Sequence, residues 1–225
     1  MRTRVLADFH DLHNAVQEFD RRVVVYRGQR SREWHLTPKV GRYPRLRSSR
    51  IEGQEQTILR LFKEKAFPHL TFIPNSDWEW LAVAQHHGLP TRLLDWTRNP
   101  LVAAYFAVEE PHDSDDSESV IYAYQANAHV DISKRPDPFR QRTVSRFIPR
   151  HLTRRITAQE GVFTVHPDPR ADFRDFWKVT AMVIPRSFRR PLKNILYNYG
   201  IHRSSLFPDL DGIAKHIEWL RTDIF

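Results

Sequence analysis

Cysteine is absent from the 225 residues of the chain. Disulfides, thiolate catalysis and cysteine-ligated zinc are therefore excluded, and a reducing compartment fits. No apolar run approaches the roughly 20 residues that a membrane-spanning helix needs, so no membrane partner is expected. The opening stretch MRTRVLADFHDLHNAVQEF carries no apolar segment of the signal-peptide type, and a cytoplasmic location is the expectation. Several short catalytic signatures are missing too. Without a P-loop or a G-x-G-x-x-G run, neither an ATPase nor a Rossmann reading can start. Without a G-x-S-x-G elbow, nothing supports a serine triad. No repeat and no low-complexity segment stands out.

What is present describes a folded protein. Hydrophobic residues make up 40% and aromatics 12% of the chain, a globular composition. A chain of this length buries roughly 70% of its unfolded surface, which is enough for one core. No stretch reads as a linker between domains. Residues 1–225 are therefore taken as a single domain, with an N-terminal helix over 6–20 and a core over 22–220. The formal net charge is +8, which attracts polyanions and makes nucleic acid or a nucleotide a candidate partner. Arginine is dense in KVGRYPRLRSSR (Lys39 to Arg50) and in SKRPDPFRQRTVSRFIPRHLTRR (Ser133 to Arg155). The acidic run EEPHDSDDSE (Glu109 to Glu118) lies between them and reads as a surface loop. Arg150, Arg154 and Arg155 read as a solvated basic face, with Arg154 or Arg155 as alternatives for lining a pocket.

The hydrophobic pattern gives the elements. Phe9, Leu12, Val16 and Phe19 recur at helical spacing behind Asp8, a candidate cap. Val23 to Arg27 is the first strand, and Gln29 to Ser49 a polar, turn-rich loop. Helices are predicted over Gln54 to Phe67, ended by Pro68, and over SDWEWLAVAQHHG, begun by a Ser76/Glu79 capping box and stopped at Gly88. Another follows Asn99 and Pro100. Strands are predicted over Ser119 to Gln125, Val162 to Val165 and Trp177 to Ile184. A helix over Ser187 to Tyr199 requires Pro191 in its first turn. Asp211 is the expected cap of a last helix through Leu220. Helices and strands without regular alternation predict an α+β fold.

The densest chemistry is AQHHGLPTRLLDWTRNPLVAAYFAV (Ala84 to Val108). A helix ends in His86 and His87. Gln85, Thr91, Arg92, Asp95, Trp96 and Thr97 crowd the turn into a helix so apolar that it must be buried almost all round. Its N-terminus, beside a hydroxyl and an arginine, suits a phosphate. Taken singly, Asp95, Trp96 and Thr97 have plain structural readings as a turn cap, a core residue and a helix-capping hydroxyl. Neighbouring residues on a helix point about 100° apart, so His86 and His87 do not make a metal pair. No metal is expected.

VYRGQ, WLAVAQHHGLPTRLLDWTRNPLVAAYFA, RRITAQEGVFTVHP and SSLFPDLDGIAKHI, in that order, resemble the FRG domain family, from about Tyr26 to His216. The resemblance implies a bacterial-type intracellular protein, often encoded near mobile or defence elements, with a place in phage defence or toxin biology. A more distant similarity links Tyr26, Arg27 and Gly28, together with DWTRNPLVAAYFA, to arginine-type ADP-ribosyltransferases. It implies a small mixed β-sheet split around a cleft and flanked by helices. It also implies NAD as substrate. Arg27 would clamp its phosphates, Gly28 would let the ligand approach, and Gln85, Thr91, Arg92, Asp95, Trp96 and Thr97 would shape the pocket. The catalytic acid would come from QEGVF, as Glu160 in a shifted register beside Gln159. Asp209 and Asp211 are alternatives, as is no acid at all, and His86 or His87 could act as base instead. Asp95 is expected to pair with Arg27 or Arg92 as a buried ion pair. Three functions follow: an NAD-consuming transferase or glycohydrolase acting on a macromolecule (nucleic acid among the candidates) or on water, a nucleotide or nucleic-acid sensor without turnover, and a metal-independent nuclease using a histidine.

Overall fold

The computed structural model describes residues 1–46, 50–70, 72–109, 118–149, 154–175 and 178–224. Arg150, most of the acidic run and the first residue of the strand expected from Trp177 lie outside the described residues.

The fold is α+β, built on one open sheet of seven strands in the order β1-β7-β4-β2-β3-β6-β5. The strands are β1 (Arg2–Val5), β2 (Val24–Gln29), β3 (Leu93–Thr97), β4 (Ser119–Gln125), β5 (Ser145–Phe147), β6 (Gly161–Val165) and β7 (Val179–Ile184). Edge strand β1 runs parallel to β7, and the other neighbours are antiparallel, so the sheet is mixed. It is larger than the small sheet the sequence suggests. β1 has no counterpart among the elements expected from the sequence, because a four-residue edge strand, RTRV, is too short to show the alternation that marks a strand. β5 is three residues long and was missed for the same reason.

The sheet is nearly two sheets. β4 pairs with β2 over six residues and β6 with β3 over five, yet β2 and β3 meet at one register pair, Tyr26 with Thr97. Beyond it the strands part, and a cleft begins there.

Helix α1 (Phe9–Gln17), α5 (Pro100–Val108) and α7 (Arg186–Asn198) cover one face of the four-strand half. Asp8 caps α1 by accepting from the Asp11 amide, as its side chain predicts. Asn99 caps α5 by accepting from Leu101. α5 is buried on nearly all sides, as its composition requires. α7 carries Pro191 in its second turn rather than its first. The break in its backbone bonding is tolerated because Phe188, Leu192 and Leu196 bury a continuous stripe against α5 and β7. The three-strand half packs against α3 (Ile51–Ala66) and α4 (Asp77–His86). Short helices α2 (Lys39–Arg42), α6 (Arg154–Ala158) and α8 (Arg203–Leu206) line the connections. The last helix, α9 (Leu210–Trp219), is capped by Asp209, which accepts from the Gly212 amide at 2.7 Å, and not by Asp211.

Strand alternation sets the direction of Arg27. Val24 and Tyr26 face α5, Val25 faces the opposite core with Leu94 and Trp96, and Arg27 follows Val25. Gly28 then faces α5 again. A Cβ there would lie 1.9 Å from the Ala103 carbonyl oxygen and 2.6 Å from the Ala107 nitrogen. Close packing of helix on strand therefore demands this glycine, which also borders the cavity of that cleft. Gly28→Ala is expected to cost about 3 kcal/mol, measured as a lowered urea midpoint with an unchanged slope.

Candidate functional site

The parting of β2 and β3 opens into a cavity of about 1160 Å³, somewhat larger than most small-molecule sites. Arg27 and Trp96 stand on its two strand walls. Arg27 Nη1 donates to the Asp95 backbone carbonyl at 2.7 Å and lies 3.7 Å from its carboxylate. Its buried Nε has no partner among the described residues. Burial holds the Arg27 pKa below its ordinary value, with Asp95 opposing the shift and Arg42 adding to it.

Asp95 is placed by a chain of hydrogen bonds. Thr91 Oγ1 accepts from the Leu93 amide and donates to Gln85 Oε1 at 2.6 Å. That orients the amide so that Gln85 Nε2 donates to Asp95 Oδ2 at 2.8 Å. Thr91 is buried and does not border the cavity. Its role is to fix Gln85. The Asp95 side chain is 54% exposed, so the buried ion pair expected of it is not there.

The buried pair belongs to Arg92. Its side chain is 2% exposed, forks onto Glu55 at 3.0 and 2.5 Å, donates to the Phe139 carbonyl and stacks on the Phe139 ring. Arg92 therefore points into the core between α3 and the sheet, away from the cavity, and cannot clamp a ligand. Burial pushes the Glu55 carboxyl upward, against the pull of Arg92. Glu55→Ala leaves a buried guanidinium unpaired and is expected to cost about 3–5 kcal/mol. Asp95→Asn, at an exposed pair, should cost less than about 1 kcal/mol. Chemical denaturation of both variants checks the contrast.

The expected acid does not reach the site. Glu160 occupies the turn between α6 and β6 with φ +46°, is exposed, and accepts from Asn99 Nδ2 at 3.0 Å. It does not border the cavity. Gln159 does, but its amide donates to the Leu206 carbonyl. Thr97 donates to the Gln159 carbonyl and accepts from the Asn99 amide, so its hydroxyl ties β3, α6 and the start of α5 together. Asp209 and Asp211 lie off the cavity as well.

His86, the last residue of α4, and His87, which follows it, both border the cavity, their rings edge to face at 5.0 Å. Burial, then His87, then Arg155 lower the pKa of His86. Arg42 and Arg155 complete the basic wall. Arg42 Nε donates to the Thr37 carbonyl, and Arg155 stacks on Phe207 at 4.3 Å. Burial lowers both pKa values, and Asp95 is a counter-charge to each. Of the other cavity acids, Glu109 is committed to Arg203 and Asp172 to Arg174 and His35, while Glu33 stands on the loop that carries His35. Of these groups, Arg42, His35 and Asp172 were not singled out from the sequence. They sit in turn-rich segments where no local pattern separates a cavity residue from a solvated one.

Behind the wall, Trp96 Nε1 donates to Thr164 Oγ1, which bonds His166 Nε2 at 2.8 Å. Burial, reinforced by Arg92 and Arg27, drives the His166 pKa down to about 3. The unfolded chain takes up this proton near pH 6.5 and the folded one does not. Stability is therefore lost as the pH falls from about 6.5 toward 3. The loss is about 2 kcal/mol at pH 5. His166→Gln should flatten that slope in urea titrations at pH 7 and 5.

Residues 22–116 match the family model of the FRG domain. The match spans β2, α4, β3 and α5, and so includes Arg27, Gln85 and Asp95. No curated protein and no solved structure matches the chain.

Proposed function

We propose that the cavity of this FRG domain binds NAD, breaks its nicotinamide–ribose bond and passes ADP-ribose to a macromolecule or to water. One observation carries the reading. The guanidiniums of Arg27, Arg42 and Arg155 border one cavity and all draw on Asp95 as counter-charge. That wall keeps an excess of positive charge in a half-enclosed space, which a diphosphate would neutralise. Arg27 is already oriented by the Asp95 carbonyl, so its fork is set before a ligand arrives.

Asp95 takes the place first looked for at Glu160. Its carboxylate is accessible from the cavity and held by Gln85. There it stabilises positive charge developing on the ribose as the C1′–N bond breaks. The bonding pair leaves with nicotinamide, which departs neutral. The acceptor oxygen forms the new bond to C1′ and releases its proton. The engagement of Glu160 with Asn99 favours a second reading, in which the same wall binds a nucleotide without turnover.

The test is nicotinamide release from NAD by the purified protein, with and without RNA or DNA. Arg27→Lys keeps the charge and loses the fork, and kcat/KM should fall about tenfold to a hundredfold. Asp95→Asn should lower kcat with the fold intact. No release from a folded protein that still binds NAD would establish the second reading in place of the first.

A further inference from the structure

At one end of the cavity, His35 and Asp172 form a pair that no part of the FRG match assigns, since Asp172 lies beyond it. His35 Nδ1 is 2.7 Å from Asp172 Oδ2. A carboxylate only accepts, so the bond to Asp172 requires the proton on Nδ1 and leaves Nε2 its lone pair; Arg174 Nη2, 3.0 Å from the same Nδ1, then gives its hydrogen to Asp172 Oδ2 at 2.6 Å and not to the ring. The His35 side chain is 72% exposed, whereas that of Asp172 is 17% exposed and firmly held. Asp172 also accepts from the Leu36 amide, the Arg174 amide and the Arg174 Nε. Burial alone would raise its pKa, but the bonds from Arg174, His35 and Leu36 outweigh that and bring it to about 2. Asp172 is thus a fixed anion across the whole working range. His86 and His87 have no such partner: among the described residues each makes only a ring contact with the other, and its surroundings make His86 a weaker base.

We infer that the His35–Asp172 pair accepts the proton of the attacking hydroxyl, and so marks the end of the cavity at which the acceptor enters. This rests on the proposed NAD cleavage. As the acceptor oxygen bonds to C1′, its proton passes to His35 Nε2. The imidazolium is stabilised by Asp172, and the proton is then lost to solvent. The charged groups around the ring are Asp172 and Arg174 from the 168–175 segment and Glu33 from its own loop. Arg42 and Arg170 line the same cavity.

The experiment is the pH profile of nicotinamide release for wild type, His35→Gln and Asp172→Asn, joined to imidazole NMR of the protein without NAD. Wild-type kcat should fall tenfold per pH unit below the histidine titration. His35→Gln should lose at least tenfold at neutral pH, together with that acid limb, while KM for NAD changes little. Asp172→Asn should displace the acid limb and should remove the hydrogen-bonded Nδ1–H resonance. A purely structural role for either residue would not move the limb. An unchanged profile in His35→Gln alongside active wild type overturns the inference and leaves NAD cleavage standing. Absence of the Nδ1–H resonance in wild type overturns the pair whatever the activity. Wild type without nicotinamide release takes down both.

Discussion

Arg27 Nη1 donating to the Asp95 carbonyl is the bond on which the site depends. β2 and β3 share one register pair, so the sheet ladder does not hold them together beyond Tyr26 and Thr97. Just past that pair the peptide groups on the facing edges lack cross-strand partners. A guanidinium reaches across and takes one carbonyl as its acceptor. The arginine thereby closes the root of the cleft and is itself fixed in direction. An aliphatic residue there would leave the carbonyl without this donor, and a lysine would bridge it without the planar fork. The strand is hidden because both of its faces are packed, by α5 on one side and by Val25 with its aromatic neighbours on the other. Arg27 lies inside the strand, two residues before its end, on the face that carries Val25.

Two arginines and two carboxylates divide the work. Arg92 and Glu55 are almost wholly buried and saturate each other, so they contribute position to the core and no chemistry to the cavity. Arg27 and Asp95 are offset by 3.7 Å, with Asp95 half open and Arg27 short of a partner at Nε. The first pair loses a great deal when one member is removed. The second has free valence that a ligand can use. Burial and saturation, rather than residue type, separate a structural ion pair from a candidate binding pair here.

Much of this was legible in the residues. Alternation in VVVY locates β2 and puts Arg27 on it, although the strand runs on to Gln29, and the cap at Asn99 with the apolar run after it locates α5. The crowding of Gln85, Thr91, Asp95 and Thr97 marks the cleft. Which member of that crowd faces the cavity was not legible, because it depends on the packing partners of each. Arg92 and Asp95 are three residues apart, and only the presence of Glu55 on α3, far away in sequence, sends one inward. That α5 also requires Gly28 was not legible, since the 1.9 Å clash with Ala103 is a tertiary distance. β1 and β5 were missed because short, polar strands are made by their neighbours.

Glu160 shows the same limit from the other direction. In a strand it would face away from Gln159, but neither residue is in a strand. The turn places Glu160 at positive φ, and β6 begins only at Gly161. A Cβ on Gly161 would come within 3.3 Å of the Ile156 carbonyl, so α6 folds tightly back on the strand start. That turn swings the glutamate toward Asn99, where it steadies the residue that caps α5. The carboxylate that remains at the cleft is Asp95, held by an amide whose direction Thr91 sets. Thr97, Gln159 and Glu160, which resemble catalytic positions, are thus consumed in joining β3, α6 and α5. The polar groups left open to a ligand are those whose hydrogen bonds point from the scaffold into the cavity.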